Sequence, residues 1–310
     1  MIDALEVSVP AKVPLNLSLR EFIRALRPKS DPYYKARFDL QELGIDALLY
    51  RSCRYNGNHR VQIVRTGNKS FRVISAILAQ VLDCDLRSLR VVRLDLAADV
   101  RGVSVRWFRE HMYVPGKRRI RVYVKHEGES SCDWDNGCTI YLGAAQDLIR
   151  VYDKAAELKN KSHDSAPEDR LPLTRVERQL RGNRIPPELR TLPDIATNVV
   201  SFDPFKSVVI LPGGAPEPTI EDYSLHRFLE GTDFRELVRK LGLQQVWTSM
   251  GRYSGGNGRR TVRRVADFVP PDPPTFQPPD LFAIYSQSIC EQFAEGRSTH
   301  RANRSEIRSY

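Results

Sequence analysis

No run in these 310 residues approaches the ~18 consecutive apolar residues of a membrane-spanning helix, so no such span is expected. The N-terminal stretch has no basic segment ahead of an apolar one, and no secretory signal is expected from it. Cysteine is scarce: five residues (Cys53, Cys84, Cys132, Cys138, Cys290), odd in number and irregularly spaced. A disulfide framework does not fit that pattern, and the reducing cytoplasm is the expected location. No Gly-x-Gly-x-x-Gly and no Walker-type phosphate loop occurs, which removes ATPase and helicase chemistry. Cys132 and Cys138 bracket five residues near His126, whereas structural zinc uses Cys-x2–4-Cys with a second pair.

What is present is basic. Forty-eight Lys and Arg against 38 Asp and Glu leave a formal net charge of +10, which favours a polyanionic partner, nucleic acid before an anionic membrane. An apolar share of 41% and a charged share of 28% belong to an ordinary folded chain of one large or two modest domains.

Ser18 to Glu21 has the form of a capping box before Leu19, Phe22, Ile23 and Leu26, which predicts a short helix ended by Pro28 and Pro32. Residues 69–83 place apolar side chains at 71, 73, 74, 77, 78, 81 and 82, a helical stripe that must lie against a core. A second helix is expected over about 222–241. Six prolines within 267–279 read as a stiff linker, and 297–310 as a polar, Arg-rich, disordered tail. The expected division is 1–205 as a sheet domain, 206–266 as a helical, basic region, and 267–310 as linker and tail.

Between 90 and 181 the period is two. Val92, Leu94, Leu96, Ala98 and Val100 share one face of a predicted strand; Val91, Arg93, Asp95, Ala97 and Asp99 share the other. Ile120, Val122 and Val124 alternate with Arg119, Arg121, Tyr123 and Lys125. Ile149 and Val151 alternate with Arg150, Tyr152 and Lys154, and Val176 and Leu180 with Arg175, Glu177, Gln179 and Arg181. The fold class expected is α+β: a mostly antiparallel sheet, helices on one face, and a polar face carrying Arg, Tyr, Asp and Glu, with a smaller helical, basic C-terminal region.

Three ordered segments carry a resemblance. Arg93-Leu-Asp95-Leu-Ala-Ala-Asp99, then Thr139-Ile-Tyr141-Leu-Gly143 running into Ile149-Arg-Val-Tyr152-Asp-Lys154-Ala-Ala-Glu157, then Thr174-Arg-Val-Glu177-Arg-Gln-Leu-Arg181-Gly182 resemble the motifs of Rep-trans rolling-circle replication initiators of plasmids and filamentous phages. The match spans about residues 90–182, under a third of the chain. Where the family carries Gly-Ser and a further serine, this chain has Gly143-Ala-Ala-Gln-Asp147 and no hydroxyl.

The resemblance implies a metal-dependent, site-specific DNA endonuclease and strand transferase that opens and rejoins origin DNA through a 5′-phosphotyrosyl intermediate. Tyr152 takes the nucleophile position, with Tyr141 and then Tyr123 as the other tyrosines in view. Lys154 and Arg150 would steady the phosphate or lower the phenol pKa. Asp95 and Glu177, with Asp99, are the candidate ligands of Mg²⁺ or Mn²⁺, both of which prefer oxygen donors. Asp95 and Asp99 lie about 13 Å apart along a regular strand, so Asp95 and Glu177 form the favoured pair and Asp99 is free to meet an arginine instead. Arg93, Arg119, Arg121 and Arg175 on the sheet, and Arg259, Arg260, Arg263 and Arg264 in an acid-free segment, are the DNA-binding candidates. Origin DNA, duplex and single-stranded, is the implied partner; a host helicase and a second copy of the chain are further candidates. None of the six histidines forms His-x-His, unlike the other large class of nicking enzymes, and no His-x-x-Arg of integrase type occurs. Two other readings use the same face: an origin- or operator-binding protein without turnover, and a single-stranded RNA-binding protein.

Overall fold

The structure, a computed structural model, describes residues 1–10, 36–39, 47–52, 59–64, 71–82, 84–116, 120–123, 138–162, 171–210, 238–239, 241–246, 248 and 279–298. Eleven strands are described: β1 (Ile2–Val9), β2 (Ala36–Asp39), β3 (Ala47–Ser52), β4 (His59–Val64), β5 (Arg90–Arg101), β6 (Met112–Tyr113), β7 (Ile120–Tyr123), β8 (Thr139–Ala144), β9 (Asp147–Asp153), β10 (Leu173–Arg181) and β11 (Val209–Ile210). The helices are α1 (Phe71–Val81), α2 (Val105–His111), α3 (Lys154–Ser162), α4 (Leu192–Asn198) and α5 (Leu281–Ser298). Nine of the strands form one sheet in the order β2-β3-β4-β1-β5-β10-β9-β8-β7. Each neighbouring pair in it is antiparallel. The expected α+β class is what the chain adopts.

Strand alternation decides which side chains enter the core. Leu94, Leu96, Ala98 and Val100 of β5, Ile140 and Leu142 of β8, Ile149 and Val151 of β9, and Val176 and Leu180 of β10 are buried together. Phe71, Ile74 and Leu78 of α1 join them, as the helical stripe requires. The β1–β5 pairing breaks the alternation twice, with the extra residue on β1 at Asp3 and on β5 at Val92. The register shifts between Ile2 and Ala4 and again between Glu6 and Val7. A bulge reverses which side chains face inward. Val91 therefore lies in the core at 1% exposure, where strict alternation would have placed Val92.

Described residues beyond 205 make contacts with residues of the span 1–205. β11 pairs with β6. The Gln244 amide donates to the Val114 carbonyl at 3.2 Å and its oxygen accepts from the Val114 N–H at 2.6 Å. The span 267–310, expected as linker and tail, contains helix α5, whose Leu281, Tyr285 and Ile289 are buried in the core. The Phe293 ring stacks on Phe71 at 5.0 Å, and the Tyr285 hydroxyl donates to the Val199 carbonyl at 2.9 Å. The helix expected at 19–26, all of that at 222–241 except residues 238, 239 and 241, and the basic segment 251–266 lie outside the described residues. Among the described residues no helix is long and apolar enough to cross a membrane.

Candidate active site

The polar face of the central strands is organised by register into rows. One row runs Ala97–Glu177–Arg150–Tyr141–Arg121 across β5, β10, β9, β8 and β7. The next runs Asp99–Arg175–Tyr152–Thr139–Tyr123 over the same strands. Asp95, opposite Gln179, belongs to the row on the other side of Glu177. Antiparallel pairing thus brings residues as distant in sequence as Asp95 and Glu177 onto diagonal positions of adjacent strands, about 7–8 Å apart in backbone terms and within reach of long side chains.

Within this face the charges are matched. Asp95 and Glu177 are both fully buried. Arg93 grips Asp95 through two nitrogens, Nε donating to Oδ1 at 2.9 Å and Nη2 donating to Oδ2. Gln179 Nε2 donates to Asp95 Oδ2 at 3.2 Å. Arg150 Nη2 donates to Glu177 Oε1 and lies 3.7 Å from Asp95 Oδ2, so one guanidinium stands between the two carboxylates. Glu177 Oε2 is buried with no hydrogen-bond partner, and so is Arg150 Nε. Asp99 is held in bidentate fashion by Arg175, Nε to Oδ1 at 2.5 Å and Nη2 to Oδ2 at 2.6 Å. The remaining Arg175 nitrogen reaches Asp3 Oδ1 at 2.5 Å.

Tyr152 is half-buried beside Arg175 and diagonal to Glu177. Burial, reinforced by Glu177, pushes its phenol well above the ordinary tyrosine range, while Arg175 pulls it back. Burial, then the Asp95 carboxylate, pushes Glu177 up to about 8 against the opposing pull of Arg150. Lys154 is mostly buried; its Nζ donates to Glu157 Oε2 at 2.7 Å and lies 6.0 Å from the centre of the Tyr152 ring.

The structure therefore brings Tyr152, Arg150, Asp95, Glu177, Asp99, Arg93 and Arg175 to one region of one sheet; Lys154, expected on the same strand face, instead opens helix α3 beside it. Tyr141 and Arg121 continue the row outward, and Arg121 is exposed. Arg119, Arg259, Arg260, Arg263 and Arg264 lie outside the described residues, as do Cys132 and the Tyr123 side chain, while Cys138 is buried in the core. Arg93 and Arg175, named above for DNA, spend their donors on carboxylates inside the protein. Two members of the cluster carried no signal of a role. Gln179 sat on the polar face without an assigned task, and Asp3 enters because the bulge in β1 places an extra residue opposite Leu96 and Asp95.

As a divalent-cation site the face offers the right donor chemistry: buried carboxylate oxygens on adjacent strands, one of them unpartnered. Among the described residues no group of three His, Cys, Asp or Glu side chains converges as an ion cage, and the place between Asp95 and Glu177 is filled by Arg150.

No family model matches the chain, and no curated protein matches it in sequence. Among solved structures its fold is similar to that of a rolling circle replication initiator protein from Geobacillus stearothermophilus, at a TM-score of 0.38 and 14% identity, over 82% of this chain and 96% of that one. At this identity and score the likeness assigns neither family nor activity.

Proposed function

We propose that the chain is a rolling-circle replication initiator, an origin-specific strand transferase with Tyr152 as nucleophile. The observation that carries this reading is the pair of rows on the polar face, which set a phenol between Arg175 and Thr139 on neighbouring strands, in the row next to Glu177 and Arg150. The row Arg150–Tyr141–Arg121 runs from the buried carboxylate to the exposed sheet edge, an alternation of guanidinium and aromatic ring suited to a single strand with its phosphates and unstacked bases. In the reaction the Tyr152 oxygen would bond to phosphorus as the bond to the departing 3′ oxygen breaks. The phenol proton would end on that oxygen, leaving a free 3′-hydroxyl and a 5′-phosphotyrosyl link. The step is isoenergetic enough to reverse, which is what rejoining requires. Arg150, the most solvent-reaching of the three buried-cluster arginines at 25% side-chain exposure, and Lys154 beside the ring would meet the nonbridging oxygens. Asp95 and Glu177 would hold Mg²⁺ or Mn²⁺, whose chemistry when bound is Lewis-acid neutralisation of phosphate charge.

A second reading, DNA binding without turnover, is favoured by one observation: burial raises the Tyr152 phenol and so opposes the phenolate. Denaturing electrophoresis of labelled single-stranded origin DNA with the full chain and Mn²⁺ separates the two. A covalent adduct mapping to Tyr152 and absent from Tyr152→Phe is expected. Retained DNA binding with no adduct from any origin strand would replace the enzyme by the binding protein.

A further inference from the structure

Two carboxyl groups buried side by side repel each other when ionised, and a cation between them relieves that repulsion. In this protein that position belongs to a side chain. Arg150 Nη2 bonds Glu177 Oε1 and lies 3.7 Å from Asp95 Oδ2, while the second oxygen of Glu177 is buried and partnerless. The three guanidiniums of the cluster differ in how firmly they are held. Arg93 is bonded through Nε and Nη2 to the neighbouring Asp95 of its own strand, and Arg175 is clamped between Asp99 and Asp3 at 4% side-chain exposure. Arg150 is 25% exposed, and its Nε makes no hydrogen bond. It is the guanidinium with the least to lose by turning toward solvent, and the row beyond it leads outward past Tyr141 to Arg121.

We infer that Arg150 and a divalent cation are mutually exclusive occupants of the position between Asp95 and Glu177, so that an ion binds there only as the guanidinium swings out onto the open face. The ion would take Asp95 and the free oxygen of Glu177, hard donors of the kind Mg²⁺ and Mn²⁺ prefer, with the rest of its shell from water. Exchange keeps the buried carboxylates compensated in both states, since one cation leaves as another enters. It also turns Arg150 toward incoming phosphate only when the ion is present. An arginine anchored like Arg93 or Arg175 could not do this without stranding a buried carboxylate.

The inference concerns the face proposed above for strand transfer, but its test contains no DNA and no turnover, so it stands or falls apart from that reading. Manganese binding to the full chain is measured from the loss of the free Mn²⁺ electron paramagnetic resonance signal. Arg150→Gln should tighten Mn²⁺ binding about tenfold or more over wild type, the size of coupling expected between competing ligands. Arg150→Lys, which keeps a cation in place, should stay near wild type, and adding Glu177→Gln to Arg150→Gln should abolish the gain. In the unmodified protein, Mg²⁺ should raise the rate at which phenylglyoxal modifies Arg150, read by peptide mass, while Arg93 and Arg175 stay protected. A gain within about twofold, a gain that survives loss of Glu177, or an Arg150 reactivity indifferent to Mg²⁺ overturns exclusive occupancy. The labelling arm decides the matter if either variant fails to fold.

Discussion

Arg175 shows how a residue type that suggests one task can be committed to another. Its guanidinium reaches a bidentate pairing with Asp99 across the β5–β10 ladder and a further bond to Asp3 from β1, so a single cation spans three strands. Ion pairs of this kind contribute little net stability compared with a well-packed apolar equivalent, but losing one partner leaves charge buried and uncompensated. Arg175→Met should therefore destabilise the protein by about 3–5 kcal/mol in chemical denaturation, because Asp99 and Asp3 would face each other without a cation. Adding Asp99→Asn to that variant should return part of the loss. A deficit below about 1 kcal/mol, the range of exposed pairs, would mean that the cluster is more open to water than its burial indicates. Asp99 had two readings from its spacing alone, ion ligand or arginine partner, and the strand geometry that argued against a shared ion with Asp95 is the same geometry that sets it opposite Arg175.

At the scale of elements, alternation was the most readable signal. β5, β9 and β10 occupy Arg90–Arg101, Asp147–Asp153 and Leu173–Arg181, spanning nearly all the residues whose alternation predicted them, because a strand with one face in a core writes its period into the sequence. β1 was not readable for the converse reason. Its bulge at Asp3 puts Ile2 and Leu5, rather than Ile2 and Ala4, in the core, and a bulged strand has no single period. α5 was missed differently. Leu281, Tyr285 and Ile289 recur every four residues, an apolar stripe in itself, but it follows a run of prolines and sits among Ser, Gln and Glu. Its role is nonetheless in the core: Gln292 closes on the Ile2 backbone, accepting from its N–H at 2.7 Å and donating to its carbonyl at 3.2 Å, next to the bulge that delivers Asp3. Tyr285→Ala, at a site with no exposure, should cost about 3–5 kcal/mol in denaturant titration, the range for a buried aromatic deletion. Tyr285→Phe should cost less, about 1–3 kcal/mol, from the Val199 carbonyl left without its donor. An alanine variant as stable as wild type would detach α5 from the core.

For the whole molecule the question is where the net charge of +10 is spent. A polyanion senses exposed charge through released counterions, so the slope of log affinity against log salt counts phosphate contacts rather than arginines. The arginines of the central sheet divide sharply on this criterion. Arg93 and Arg175 face carboxylates inside the protein, while Arg121 is exposed at the sheet edge at the end of the row that passes Tyr141. If DNA lies along that row, Arg121→Ala should flatten the salt slope by about 0.7 on a single strand, the value for one lost contact. Replacing Arg259, Arg260, Arg263 and Arg264 together should lower the duplex slope by about 0.9 for each contact that segment makes, equally for all sequences, because phosphate contacts carry no base information. Arg93→Met should alter stability and leave both slopes where they were, since its charge is already matched by Asp95. Fluorescence anisotropy at several salt concentrations gives all three slopes. A slope that falls with Arg93 but not with Arg121 would put the strand over the carboxylate cluster instead of the outer row. Slopes untouched by the four outer arginines would remove residues 259–264 from the DNA path and leave the sheet to account for binding by itself.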